Sequence, residues 1–356
     1  MAAAGSGMTR PTSATAPREP VLTGSMVAKA FDLGEAAGPM IEIPGSTAHR
    51  TWRLDTFGAT YFVKHYDRPW DMPTWSDWIR YIQGSWEIER AAYEAGLPVA
   101  EPVLAKGAAW PWLDLDIGER LATVRVHKWV AGTMRTDPAS VAVATQLGDL
   151  LGRVHRLLPE LTEWRRAPAW PEDWRAAAQV GDRVPRPWDR TFNDALPRLE
   201  EASELCRVAA AEKVRLVRTH RDLHSHNVIE RPDGSVVVVD WDAASTQRAD
   251  WELVETALEL AGYISGRPDR NVVDAVVSSY HQAGGTARRI TATSFAGLLM
   301  CSQNWLRYNV RRVASRQPKA PATGGDGDAV EREAVRSLAA VQRATQGIDQ
   351  WLPWFQ

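Results

Sequence analysis

The chain has 356 residues, 44% of them apolar, a formal net charge of -2 and two cysteines. Such a length can bury a substantial core and suggests two domains or one bilobal unit, while the near-neutral charge, without a basic block or an interleaved Lys and aromatic strip, argues against nucleic acid as a partner. No apolar run reaches the roughly 18 residues of a membrane span, and Cys206 and Cys301 are too few and too far apart for a disulfide framework or thiolate cage.

The N-terminus lacks the apolar stretch of a signal peptide, so the reading is a soluble cytoplasmic protein with reduced, buried thiols. Residues 1–20 are rich in Ala, Ser, Thr, Gly and Pro and cannot offset their ordering entropy by burial, which predicts a disordered tail. From Ile41 to Tyr66 the chain alternates as strands do: Ile41-Glu-Ile43, Gly45-Ser-Thr47, Thr51-Trp-Arg-Leu54, a turn at Gly58, then Thr60 to Tyr66. A small antiparallel sheet is expected. Lys64 falls inside the apolar run Tyr61-Phe-Val-Lys64, where an ammonium needs an anion such as a phosphate unless alternation turns it to solvent on an edge strand. Ser46 and Thr47 belong to a short Gly45-Ser-Thr-Ala segment, a poor version of a Gly-rich phosphate loop with neither GxGxxG nor Walker A spacing.

Residues 86–95 read as a helix, capped by Gly84-Ser85 and stopped by Gly96 and Pro98, with Glu87 and Glu89 as exposed carboxylates. Thr123 to Val130 is a strand running into Ala131-Gly132, a hinge between a small lobe over residues 21–130 and a helical lobe over residues 131–356. Ser140 to Leu158 carries apolar residues at Val143, Leu147, Leu150, Leu151 and Val154, a long amphipathic helix on which His155 is a core or network histidine. Residues 159–197 have little periodicity and read as an insert or loops near a substrate cleft. The 17 tryptophans are explained first by packing, and otherwise by stacking on a flat or sugar-like ligand.

The densest chemistry lies between Thr219 and Asp242. His220, Arg221, Asp222, Leu223 and Asn227 fit the H-R-D-L-x-x-x-N catalytic loop of protein kinases, and Asp240 ends an apolar run where that pattern has a metal-binding Asp. Asn227-Val-Ile and Val236 to Val239 are β-prone runs joined by a Pro-Asp-Gly turn, hence a hairpin. Antiparallel pairing sets Asn227 beside Asp240, so an amide and a carboxylate oxygen converge, a sufficient protein contribution for Mg²⁺ that also binds nucleotide phosphates. Asp222 would sit at the loop mouth to orient and deprotonate a hydroxyl. Further on, Asp250 to Tyr263 predicts an acidic amphipathic helix whose Glu252, Glu255 and Glu259 either form a solvated face or line a site for a cationic substrate. Residues 271–284, 291–314 and 329–346 read as helices, residues 317–328 as a mobile loop, and Trp351 to Phe355 as an apolar tail that docks on the helical lobe or over the acceptor pocket.

Lys64, Gly96-Leu-Pro-Val99, Gly132, the Leu147 to His155 helix, the catalytic loop and Asp240-Trp-Asp242, in that order and spacing, resemble the aminoglycoside phosphotransferase family over about Ile41 to Gly262. The resemblance implies an α+β, bilobal, protein-kinase-like fold, with a small antiparallel β-sheet N-lobe and a larger, mainly helical C-lobe carrying a catalytic β-hairpin. It implies transfer of the γ-phosphoryl group of ATP or GTP, with Mg²⁺, to a hydroxyl of a small molecule, often an antibiotic. Asp222 is then the catalytic base, Asn227 and Asp240 are the metal ligands, and Lys64 is the phosphate lysine with Glu87 as its carboxylate. Ser46 and Thr47 would meet phosphates and His127, Trp129 and Val130 the base, while His220, Arg221 and Asp242 support the loop. Arg221 stands where the family usually has Gly, and Glu252 where Asp is common. No Asp-Phe-Gly or Ala-Pro-Glu follows, so no protein-kinase activation segment fits.

Three other readings compete. A primary metabolite of choline, amino-acid or sugar type could be the acceptor. His220, Asp222, His224 and His226 could instead form a transition-metal cluster of a metallohydrolase, given the His224-Ser-His226 spacing. A catalytically dead kinase-like binding module would show loss of the base, the lysine or a metal ligand, and the chain keeps all three.

Overall fold

A computed structural model describes residues 22–44, 49–66, 74–118, 120–134, 138–159, 161–162, 174, 187–287, 289–315 and 326–356. The expected disordered tail, Ser46 and Thr47, most of the segment between residues 159 and 187 and most of the expected mobile loop fall outside the described residues. The chain divides into two compact units: residues 1–71 with 102–129, and residues 72–101 with 130–356.

The smaller unit is built on an antiparallel sheet. Its strands are β1 (Ile41–Glu42), β2 (Arg50–Asp55), β3 (Thr60–Tyr66), β4 (Pro102–Val103), β5 (Trp112–Asp116) and β6 (Leu121–Lys128), in the order β1-β2-β3-β6-β4, with β5 also paired to β6. Strand alternation drives Trp52, Leu54, Val63, Val124 and Val126 into one core, closed by Val27 and Ala28 of a short helix α1 (Gly24–Ala30) and by Phe31 at its C-cap. β3 is an inner strand, so Lys64, opposite Thr51 on β2 and Arg125 on β6, is not an edge residue.

The larger unit is mainly helical. Helix α2 (Trp75–Glu94) starts eleven residues before the expected Trp86, with Thr74 accepting the Asp77 N–H as its cap. Gly84 and Ser85 lie inside it, and Ser85 satisfies its hydroxyl on the Ile82 carbonyl. Trp78, Ile82, Trp86 and Glu89 recur at helical spacing and are each about 98% buried or more, a stripe masked in the sequence by polar neighbours. Ile88 and Ala92 of this helix, and Leu97 and Val99 after it, belong to the core of the helical unit, where a single boundary at residue 130 would put them in the small one.

Helix α3 (Val141–Leu157) and helix α4 (Pro187–Ala211, with Pro197 inside) precede the catalytic segment, and α5 (Ala249–Leu260), α6 (Arg270–Gln282), α7 (Ala296–Ser315) and α8 (Asp326–Trp351) follow it. Gly148 and Gly152 let α3 approach α6: a Cβ on Gly148 would overlap the Val276 carbonyl and the Ser279 hydroxyl. The C-terminal turn Leu352–Phe355 docks on this unit, Phe355 edge-on to Phe295 and Trp351 edge-on to Tyr263. Two small sheets frame the catalytic segment. β7 (Thr133–Met134) pairs with the hairpin β10–β11 (Val228–Glu230 and Val236–Val238), and β8 (Leu161–Thr162) pairs with β9 (Arg215–Thr219), itself paired with β12 (Ser245–Arg248). Among the described residues no helix is long and apolar enough to cross a membrane.

Candidate active site

The expected hairpin forms with Val228 opposite Val238 and Glu230 opposite Val236, closed by the Arg231 to Ser235 turn. At its open end the Val239 N–H donates to the Asn227 carbonyl at 2.9 Å, which brings Asn227 next to the residue preceding Asp240. Asp240 is exposed and left-handed, φ 61° and ψ 61°, a conformation that Asp tolerates better than most residues.

Asn227 is held from the other side by the catalytic loop. Its Nδ2 donates to the Asp222 carbonyl and to Asp222 Oδ2, both at 2.8 Å. With the amide nitrogen committed, Oδ1 is the atom left to face away from Asp222, a hard oxygen of the kind Mg²⁺ takes. His224 presents Nε2 to Asp222 Oδ1 at 3.3 Å, its Nδ1 accepting the His226 N–H. Burial acts to raise the Asp222 pKa, but the His224 hydrogen bond, the electrostatic pull of the His224 and His220 rings and the Asn227 amide outweigh it and hold the carboxyl below its ordinary value.

His220 is fully buried and both ring nitrogens are engaged: Nε2 donates to the Val239 carbonyl at 3.1 Å and Nδ1 accepts the Asp222 N–H at 3.3 Å. It ties the loop to the hairpin. That use, and the absence of any three converging His, Cys, Asp or Glu side chains of metal-site type among the described residues, leaves the transition-metal cluster without geometric support.

Arg221 has φ 64°. This is why Gly suits the position: a left-handed backbone is free for Gly and costs a side-chain-bearing residue about 1–3 kcal/mol. Two contacts hold Arg221 there, its N–H donating to Glu252 Oε1 at 2.8 Å and its guanidinium to the Ser245 hydroxyl at 2.7 Å.

The expected solvated acidic face on α5 is not found. Glu252 is 1% and Glu255 8% exposed, Glu259 is half-buried, and apolar residues fill the rest of the helix. Burial, then the charges of Glu252 and Glu259, push the Glu255 carboxyl up to about 8. Burial and the Asp222 charge push Glu259 up to about 7, with His224 opposing. The α7 residue Cys301, expected to be buried, keeps solvent-accessible surface beside these acids, and desolvation together with their charges raises its thiol well above the ordinary range. Cys206 is buried and pushed up to about 12 by desolvation.

In the smaller unit Lys64 is 7% exposed with its ammonium 5.6 Å from the centre of the Tyr66 ring. Arg125, opposite it on β6, is 2% exposed, a second buried cation that alternation did not mark as functional. His127 and Trp129 lie at the end of β6, where the Trp129 N–H donates to the Thr60 carbonyl. In the helical unit, Glu87 is exposed on α2 while Glu89 is 1% exposed, so the expectation that both face solvent fails for Glu89. Val130 begins this unit's second segment, and Gly132 follows because a Cβ there would overlap the Glu230 carbonyl. Asp242 is half-buried in the turn after Asp240.

A model of the phosphotransferase enzyme family matches residues 40–290. Among solved structures the chain is similar to a spectinomycin phosphotransferase in complex with ADP and spectinomycin, at TM-score 0.60 and 14% identity over 93% of this chain and 99% of that one. It is similar to an amicoumacin kinase in complex with AMP-PNP, Ca²⁺ and Ami, at TM-score 0.59 and 15% identity over 89% and 92%. It is also similar to a microcompartment-associated aminopropanol kinase, at TM-score 0.55 and 13% identity over 92% and 97%. Compared with the curated proteins, the sequence has no match. At such identities the structural likeness is one of fold: α+β and protein-kinase-like, with an antiparallel-sheet unit and a larger, mainly helical unit.

Proposed function

The chain belongs to the phosphotransferase enzyme family, and from that premise we propose that it transfers the γ-phosphoryl group of ATP or GTP to a hydroxyl of a small, amine-bearing antibiotic in the cytoplasm, giving resistance or self-protection. That it is a phosphotransferase with an alcohol group as acceptor goes with the family. The donor, the metal, the site residues and the acceptor are the finer reading.

The observation that carries it is the 2.8 Å bond from Asn227 to the Asp222 carboxylate at the mouth of the hairpin. It joins a candidate base to a candidate metal ligand, the combination that phosphoryl transfer needs. Asp222 orients the acceptor hydroxyl and takes its proton as the new P–O bond forms. Its lowered pKa keeps it ionised at neutral pH. Asn227 through Oδ1 and Asp240 through its carboxylate would hold Mg²⁺, which when bound neutralises phosphate charge. By the family pattern Lys64 is assigned to the nucleotide phosphates, and His127, Trp129 and Val130 to its base.

The acids of α5 support an acceptor with a protonated amine. Glu255 and Glu259, raised to about 8 and about 7, lie within electrostatic reach of Asp222, and an ammonium bound there would relieve their mutual repulsion. The same pair suits an amino alcohol of primary metabolism, which is the second reading.

The test is ADP release across a panel of amine-bearing antibiotics and amino alcohols, with Asp222→Ala as control. The variant should lose transfer while binding nucleotide nearly as well as wild type. Wild-type turnover by Asp222→Ala on the preferred acceptor would remove Asp222 from the mechanism.

A further inference from the structure

Behind the catalytic loop, a buried series of polar contacts runs from Ala287, beyond α6, to the backbone of the residue before Asp222; all its links are hydrogen bonds except the 3.8 Å approach of His155 to Glu252. The Ala287 N–H donates to Tyr280 Oη at 3.0 Å, and Tyr280 Oη lies 2.9 Å from His155 Nδ1. His155 Nε2 lies 3.1 Å from Thr219 Oγ1 and 3.8 Å from Glu252 Oε2. Glu252 Oε1 then accepts the Arg221 N–H at 2.8 Å. The side chains of His155, Thr219, Glu252 and Tyr280 are each at most 1% exposed.

The Nε2-protonated tautomer of His155 is the one that offers Glu252 a proton. In it Tyr280, which accepts the Ala287 N–H, directs its own O–H to His155 Nδ1. The imidazole proton on Nε2 faces Thr219 and the second oxygen of Glu252. That oxygen is buried and has no hydrogen bond of its own. A Glu has one more rotatable bond than Asp, so a carboxyl gripped through one oxygen can swing unless something fixes the other. At 3.8 Å the Nε2–H group, already on Thr219 Oγ1, restrains that oxygen by electrostatic attraction rather than by a hydrogen bond.

We propose that His155 is a positioning residue for phosphoryl transfer. It touches no substrate; it fixes the Glu252 carboxyl, which holds Arg221 in its left-handed conformation and so sets the direction of Asp222. The proposal rests on the reading of Asp222 as the base.

His155→Gln and His155→Asn separate the two ring nitrogens, since a Gln amide reaches the Nε2 position and an Asn amide only the Nδ1 position. Both variants, with Asp222→Asn, are compared in the full chain by amide hydrogen exchange and by ADP release from MgATP with water as acceptor. Below its melting temperature, His155→Asn should exchange faster in residues 219–223 while the rest of the helical unit stays protected. Its turnover should fall on the order of 10²-fold, the cost of a misplacement of about 1 Å, with the KM for MgATP unchanged. His155→Gln should restore both. Equal impairment of the two variants, wild-type exchange in His155→Asn, or faster exchange throughout the unit with turnover lost only in proportion to unfolding, would each overturn the proposal. Retained turnover in Asp222→Asn sinks the reading of the base instead, and the exchange pattern still decides the role of His155.

Discussion

Asn227 donates from Nδ2 to Asp222 Oδ2 at 2.8 Å, so the proposed metal ligand and the proposed base are mechanically one unit. Removing either changes the other. Asn227→Ala should therefore weaken Mg-nucleotide binding and slow transfer together, and its effect on turnover should be far from additive with that of Asp222→Ala in a double-mutant cycle. Additive effects in that cycle would mean that the two side chains act independently.

Asp240, exposed just after the second strand of the hairpin, should behave differently. Asp240→Ala is expected to raise the nucleotide Kd in the presence of Mg²⁺ and to leave the affinity for metal-free nucleotide unchanged. Titration calorimetry with and without Mg²⁺ checks this, and an equal loss in both would take Asp240 out of the metal site.

The left-handed Arg221 gives a stability prediction that separates two substitutions. Arg221→Gly removes backbone strain and forfeits the bond to Ser245, so the net change should stay within about 1 kcal/mol. Arg221→Val keeps the strain, worsens it by β-branching and loses the same bond, and should cost about 1–3 kcal/mol. Urea unfolding of the two variants measures the difference, and a Val variant as stable as Gly would contradict it.

Glu255 predicts a pH dependence. Its carboxyl is raised from 4.5 to about 8 in the folded protein, so between those values the folded state holds a proton that the unfolded state has released. Stability on this account falls as pH rises through that window, and the full penalty is present above it. Glu255→Gln has no proton to lose. Its melting temperature should match wild type at about pH 4 and exceed it increasingly up to about pH 9, in the absence of acceptor. A gap that stays constant over that range would show that the carboxyl is not the origin.

Gly148 permits the close approach of α3 and α6. Gly148→Ala places a methyl against the Val276 carbonyl, which cannot move aside as a side chain can, and should destabilise by about 1–3 kcal/mol without altering the KM for nucleotide.

Much of the helical unit was legible in the sequence because its signals are local. The Pro-Asp-Gly turn between two Val-rich runs predicts the hairpin, and the register observed, Val228 opposite Val238, follows from that turn. The α3 periodicity is similarly complete, from Val143 to Val154. Helix α2 was cut short because Gly84-Ser85 looks like a cap. Its Trp78 to Trp86 stripe shows its role only when the partners it packs against are known.

The order and chemical type of the groups are written in the chain itself: a lysine in an apolar strand, an Asp and an Asn five residues apart, and an Asp at the end of a hairpin. These depend on spacing and on turn geometry, which nearest neighbours enforce. What surrounds them comes from contacts made across the fold. Tertiary packing turned Glu252 and Glu255 of α5 from one of two expected arrangements, a solvated face, into buried carboxyls, with Glu259 half-buried, because helices on several sides cover α5. It set His155, far from the loop in sequence, behind Glu252, and it imposed on Arg221 a positive φ that no side chain would choose alone. Burial and long-range contact are sums over the whole fold, and no local pattern of residues carries them.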